Sequence, residues 1–307
     1  LEKILITGGT GFIGMHLSKF LREKGYAVGI LSRSVGKAEG IHVHLWEPDK
    51  DVIDREAVLG ADYIVHLAGA GIGDMRWTEA RKKLIINSRV QSTRIIFDCI
   101  KGGNNKLKAF ISASAIGYYG AVTTERIFKE TDEGAHDFPG ETCRIWEKAA
   151  DPFGIAGIRT VKIRTGIVLA SDGGILKKMR IPAKAGIMPT LGSGKQYMPW
   201  IHMIDLCGIY LKAIEDTNLN GAYNAVAPEH ITNHAFTATL SKTLSGPDWL
   251  PNIPEIFLKI RFGEMASMIL QGSRVSSEKI SDAGFRFKFP ELKGALEHLL
   301  KFNNNPG

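Results

Sequence analysis

Ile4-Leu5-Ile6-Thr7-Gly8-Gly9-Thr10-Gly11-Phe12-Ile13-Gly14 is the stretch that decides the fold: an apolar run turns through glycines into an amphipathic helix beginning Met15-His16-Leu17. Strand, glycine turn and helix start in that order form a dinucleotide-binding βα unit. Gly8 takes the tight turn, Gly11 lets backbone approach a pyrophosphate, and Gly14 lets helix and strand pack closely. Thr10, Phe12 and Ile13 complete the candidate loop, where free helix N–H groups and the helix dipole attract phosphates. The alternative, a plain glycine-rich βα turn, lacks a reason for all three glycines at this spacing.

Tyr26 to Leu31 is a second apolar run, so the chain opens as βαβ with a parallel crossover. A fold that prefers NAD places Asp or Glu at the tip of that strand, to hold the adenosine ribose hydroxyls. Here the tip reads Ser32-Arg33-Ser34. An acid would repel a 2′-phosphate, whereas Arg33 grips it through charge-assisted bonds and stacks on adenine. One such bond is worth roughly 1.5 to 3 kcal/mol, about tenfold to a hundredfold in affinity. The expected cofactor is therefore NADP(H), against the alternative of a solvated surface arginine.

These segments resemble the cofactor loop of the extended short-chain dehydrogenase/reductases, the sugar-nucleotide epimerase and dehydratase type. The likeness extends along the chain through Arg76-Trp77, Ser88-Arg89, Ser112 to Gly120, Trp146-Glu147, Pro199-Trp200-Ile201-His202 and Gly284-Phe285-x-Phe287. These resemble an atypical epimerase-like branch, often labelled as cell-division inhibitors, with its own C-terminal segment. The resemblance implies that Leu67-Ala68-Gly69, at the end of the buried run Asp62 to Ala70, lies against the cofactor, and that Trp46 to Asp49 meets the adenine edge. It also places Arg89 where the family carries a cofactor-facing asparagine, on a helix expected from Glu79 to Ile100. Arg89 then reaches the nicotinamide half or an anionic substrate, or is simply an exposed helix arginine. Leu169 is an apolar cofactor contact or a core residue. His66, inside an apolar run, reads as a core histidine.

Leu107 to Ala113 reads as the next strand, and Ser112 to Gly120, into which it runs, resembles the family's catalytic-serine strand and its following Tyr-Gly turn, which makes Ser114 a candidate to bond a substrate oxygen. The family's acid/base is a tyrosine one turn before a lysine, because positions i and i+4 share a helix face and the ammonium can lower the phenol's pKa. None of the seven tyrosines is followed by lysine four residues later. Aligned on Trp146-Glu147, Cys143 stands at the tyrosine position and Glu147 at the lysine position; a one-residue shift gives Arg144 and Lys148, which restores a lysine but no phenol. Tyr118 or Tyr119, in the turn after Ser114, is the substitute candidate. Three functions stay open: an NADP-dependent oxidoreductase using Ser114 with Tyr118 or Tyr119, a non-catalytic NADP-binding sensor, and a nucleotide-sugar epimerase or dehydratase.

The net charge of +7 over 307 residues arises from dispersed Lys and Arg, with no stacking-aromatic module, so a nucleic-acid partner is not expected. An anionic cofactor and a small anionic substrate account for the bias equally well. No run long and apolar enough to span a membrane appears, nor a signal peptide. Cys99, Cys143 and Cys207 lack metal-type spacing and suit a reducing, cytoplasmic setting. The expectation is an α/β protein with a doubly wound, parallel Rossmann-type sheet over residues 1–169, and a smaller α/β substrate lobe over 170–307 from which some strands return to the sheet. Oligomeric state is open. Within the second half, Ser171 to Gly174 reads as a turn cluster and His202 as a pocket or structural residue. Asp205 reads as structural, Gly221 to Val226 as the lobe's last strand, Pro247 to Pro254 as a connector, Glu255 to Ile269 as one apolar helix, and Asn303 to Gly307 as a frayed tail.

Overall fold

The computed structural model describes residues 1–33, 41–184, 188–244 and 252–301. The opening unit is β1 (Lys3–Thr7) and α1 (Phe12–Glu23), followed by β2 (Ala27–Ser32), β3 (His42–Glu47), β4 (Val52–Ile53), α2 (Arg55–Leu59) and β5 (Tyr63–His66). Next come α3 (Glu79–Lys101), β6 (Ala109–Ala115), β7 (Ile127–Phe128), α4 (Phe138–Ala149), α5 (Asp151–Ile155), β8 (Arg159–Thr165) and β9 (Ile167–Leu169). The second half contains α6 (Gly174–Lys184), β10 (Trp200–His202), α7 (Met203–Glu215), β11 (Gly221–Ala225), α8 (Asn233–Thr243) and α9 (Glu255–Phe262). It closes with α10 (Ser267–Leu270), β12 (Arg274–Val275), α11 (Glu278–Asp282) and α12 (Leu292–Lys301).

Eight strands form one sheet in the order β11-β8-β6-β5-β1-β2-β3-β4. All its pairings are parallel except β3 with β4. Strand alternation explains why both faces are covered. Ile4 and Ile6, Tyr63 and Val65, and Ala109 and Ile111 project into one core with Leu17 and Leu21 of α1 and Leu206 to Tyr210 of α7. Leu5, Ile64 and Phe110 project oppositely, into a core with Val58, Ile96, Cys99 and Phe153. Phe110 and Phe153 stack there with centroids 3.7 Å apart. A third core lies off the sheet, where Leu176, Trp200, Phe236 and Leu296 gather α6, β10, α8 and α12.

Two expectations are corrected. Gly221 to Ala225 is not the last strand of a lobe but the sheet's outer strand, paired with β8 from Gly221↔Val161 to Ala225↔Thr165. Residues 255–269 are not one helix. Gly263 takes φ +61, a left-handed conformation that ends α9, and a short 3-10 turn (Gly263–Ala266) then leads into α10. Ser34, Pro247 to Pro251 and the tail Asn303 to Gly307 lie outside the described residues.

Candidate functional site

The first turn is built by exclusion of side chains. Gly8 adopts φ +67, and a Cβ on Gly14 would lie 2.3 Å from the Gly8 carbonyl oxygen and 2.6 Å from Gly9 Cα. Those neighbours are backbone and cannot rotate aside, so helix and strand meet at this distance only through glycine. Asp54, Thr78, Asp137, His202 and Thr232 cap α2, α3, α4, α7 and α8 with side-chain acceptors. α1 begins at Gly11 with no side-chain cap and no acid in its first turn. Its leading amides, of Phe12, Ile13 and Gly14, accordingly have no acceptor among the described residues. Thr10 and Gly11 are exposed. Gly173 and Gly174 pack on the Phe12 ring, and Asp172 lies 3.1 Å from His16 Nε2, so the 171–174 turn covers the start of α1. At the tip of β2, Ser32 is buried and Arg33 exposed.

His66 is a structural residue with one tautomer. Thr7 Oγ1 accepts the Leu67 and Ala68 amides, so its proton goes to His66 Nδ1 at 2.8 Å. Ser92 and Thr93 donate to the Arg89 carbonyl and therefore accept from His66 Nε2–H, both at 3.1 Å. Full burial and the nearby Arg89 push its pKa down to about 3. This clasp fixes where β5 ends, leaving Leu67 and Ala68 half-buried and Gly69 exposed. Arg89 is not an exposed helix arginine. It is 8 % exposed, its guanidinium lies against Gly69, and Nη1 donates to the Ala70 and Ile85 carbonyls.

Ser114 and Arg164 stand side by side on β6 and β8, where their register pairs them directly. From α4, Glu147 accepts Arg164 Nε at 2.8 Å on one oxygen and Arg164 Nη2 at 2.9 Å on the other. Ser114 Oγ donates to the same carboxylate at 2.7 Å. The network continues through Arg164 Nη1, which donates to the Tyr119 hydroxyl, itself donating to Asn224. Burial works against the Arg164 charge, but the Glu147 bonds outweigh it and hold the guanidinium protonated. Burial pushes the Tyr119 phenol up to about 12, and burial followed by the Glu147 charge pushes the Cys143 thiol up to about 12. A buried carboxylate–guanidinium pair thus stands beside Ser114. Tyr118 lies half-buried beside it, with the Arg164 guanidinium 3.4 Å above its ring and no hydrogen bond to its hydroxyl among the described residues.

Sequence reasoning singled out Glu147 only as a missing lysine. Its partner is 17 residues on, on strand β8, and the one available signal was that a carboxylate buried on that helix face needs a cation. The other second-half candidates serve the fold. Leu169 is fully buried in the third core. His202 caps α7, stacks on Phe289 at 3.9 Å and is driven to about 3 chiefly by burial. Asp205 accepts the Lys288 and Phe289 amides. The C-terminal segment reaches the site directly. β12 pairs with β7, Ser273 donates to the Gly120 carbonyl and Asn224 donates to that of Ser276. Arg76 donates to the Ile260 carbonyl, and Lys82 pairs with Glu264 at 2.7 Å.

No described helix is long and apolar enough to cross a membrane. The NAD dependent epimerase/dehydratase family matches residues 4–147, and a domain of unknown function (DUF1731) matches residues 253–299. The chain is 34% identical to the epimerase family protein YfhF of Bacillus subtilis, over 97% of each. It is similar to the crystal structure of human epimerase family protein SDR39U1 (isoform2) with NADPH: TM-score 0.86, 31% identity, covering 97% of this chain and 99% of that one. UDP-N-acetylglucosamine 4-epimerase from Bacillus cereus shares the fold, with TM-score 0.78 at 17% identity over 99% of this chain and 100% of that one.

Proposed function

The chain belongs to the epimerase family that includes YfhF and SDR39U1, and on that premise we propose that it binds NADP(H) and is an oxidoreductase for a small carbonyl or hydroxyl compound. The observation that carries the reading is the start of α1, which has neither a side-chain cap nor an acid in its first turn. Its free amides and positive dipole end suit a pyrophosphate. Gly8, Thr10, Gly11, Phe12, Ile13 and Gly14 would form that cradle, with the ribose against Leu67, Ala68 and Gly69. Arg33, exposed at the tip of β2, would hold the 2′-phosphate. The NADPH in the human relative's structure supports this choice.

NADPH, when bound, supplies a hydride to a carbonyl carbon or its oxidised form takes one up. Tyr118 would move the accompanying proton, since it lies beside the Arg164 guanidinium next to Ser114 and its hydroxyl has no hydrogen bond among the described residues. The Ser114 hydroxyl donates its hydrogen bond to Glu147, so it offers a ligand its lone pairs and would orient a hydroxyl by accepting from it. The same commitment of Ser114, with the salt bridge at the lysine position, favours a second reading: an NADP-binding module without turnover.

The test is NADPH fluorescence decay on adding a panel of aldehydes and ketones. Turnover that falls by about a hundredfold in Tyr118→Phe, within the usual range for losing a general acid, supports the enzyme. Tight NADPH binding with no decay across the panel selects the binding module.

A further inference from the structure

We propose that Arg89, backed by Trp146, is a seat for a carboxylate of the substrate. Arg89 is 8 % exposed and Trp146 7 %, and the guanidinium carbon lies 4.6 Å from the indole ring. Buried guanidinium groups are ordinarily paired with an acid. Arg89 has none among the described residues: its bonds go to two backbone carbonyls, and its Nε has no acceptor. The indole N–H of Trp146 is likewise buried without an acceptor. Glu147, next in sequence to Trp146, is fully engaged with Arg164 and Ser114. Burial, reinforced by the neighbouring Arg81 charge, works against the protonated form, with only the Cys143 thiol favouring it. The side chain therefore stands as a desolvated cation with spare donors.

Its position names the class of ligand. The guanidinium rests against Gly69, which is exposed. β5 and β6 pair with His66 opposite Ser112, so continuing that register brings Gly69 level with Ala115, one residue beyond Ser114. An anion at Arg89 thus lies toward β6 and Ser114, whereas Arg33 is at the tip of β2, two strands from β5 in the opposite direction across the sheet. A small oxyanion fits a planar fork with a spare Nε–H, and a carboxylate next to the reacting carbonyl or hydroxyl describes an oxo or hydroxy acid. The proposal rests on the NADP reading for what lies beside it, and the experiment separates the two.

Tryptophan emission is followed while acetate or inorganic phosphate is titrated, at constant ionic strength with chloride, into the apoprotein and into protein saturated with NADP⁺. Cofactor binding is measured independently by NADPH fluorescence. The expected result is a saturable response to acetate that persists with NADP⁺ bound, disappears in Trp146→Phe and weakens about tenfold in Arg89→Gln, the loss of one charge-assisted bond. Arg89→Lys keeps the charge and should retain part of the response, which guards against misreading an unfolded variant. A response to phosphate that NADP⁺ displaces would assign Arg89 to the cofactor's phosphates and overturn the proposal. The absence of any anion response in folded wild-type protein that binds NADPH would also overturn it. An Arg89-dependent acetate response in protein that ignores NADPH would uphold the seat and remove the cofactor reading instead.

Discussion

Replacing Glu147 with glutamine tests whether the carboxylate–guanidinium pair has become the structural clamp of the site. Arg164 is 3 % exposed and Glu147 7 %, and two hydrogen bonds join them across α4 and β8. Glu147→Gln keeps one acceptor and nearly the same shape, but leaves the guanidinium buried without a countercharge. Breaking a buried pair in this way destabilises by about 3 to 5 kcal/mol. With a urea slope of a few kcal/mol per molar, the midpoint should fall by about 1 M or more. The double variant Glu147→Gln/Arg164→Met removes the stranded charge as well. It still leaves the Tyr119 hydroxyl without the Arg164 donor, roughly 1 to 3 kcal/mol for a group left unsatisfied. It should therefore be no less stable than the worse single variant, with a coupling of at least about 1.5 kcal/mol in the cycle. A single variant within about 0.5 kcal/mol of wild type, or strictly additive singles, would refute the clamp.

Gly14→Ala drives a methyl into the backbone of the nucleotide turn and should lower NADPH affinity by at least about tenfold in a fluorescence titration. Gly294 is the control, because nothing lies within 4 Å of a Cβ there in the exposed part of α12. Gly294→Ala should raise stability by about 0.5 to 1 kcal/mol in urea unfolding and leave cofactor binding unchanged. His66 and His202, with ordinary values of 6.5 lowered to about 3, set an acid limit. Below pH 6.5 the unfolded chain takes up protons that the folded one refuses, so stability falls with pH down to about 3, by about 1.4 kcal/mol per unit for each histidine. Urea midpoints measured from neutral pH to about 5 should show this slope, and His202→Gln should remove one histidine's share; an unchanged slope would exclude it as a source.

What the sequence disclosed was what local pattern controls. The apolar run Ile4-Leu5-Ile6 announced a strand, and the structure divides those residues between its two cores. The helix expected from Glu79 to Ile100 spans Glu79–Lys101. The Cys143 and Glu147 departures were visible because a fixed i, i+4 spacing exposes any substitution. The rest depends on tertiary placement. Arg164 meets Glu147 only after β8 joins β6, and the burial of Arg89 depends on Trp146 and Gly69. β7 and β12 pair over two residues each, too short for a periodic signal. The break at Gly263 was hidden because apolar residues continue in the chain before and after the Gly263-Glu264 pair, while the glycine turns the chain against the Arg76 guanidinium. His202 looked suited to a pocket until Phe289 and His298 closed over it.

The measurement nearest to the central claim is a parallel titration of the folded protein with NADPH and NADH, repeated on Arg33→Ala. The account predicts that NADPH binds about tenfold to a hundredfold more tightly, and that the variant loses this margin while keeping its affinity for NADH. Equal affinities in the wild-type protein would contradict the role of Arg33. A folded protein indifferent to both nucleotides would contradict the reading of the first turn itself.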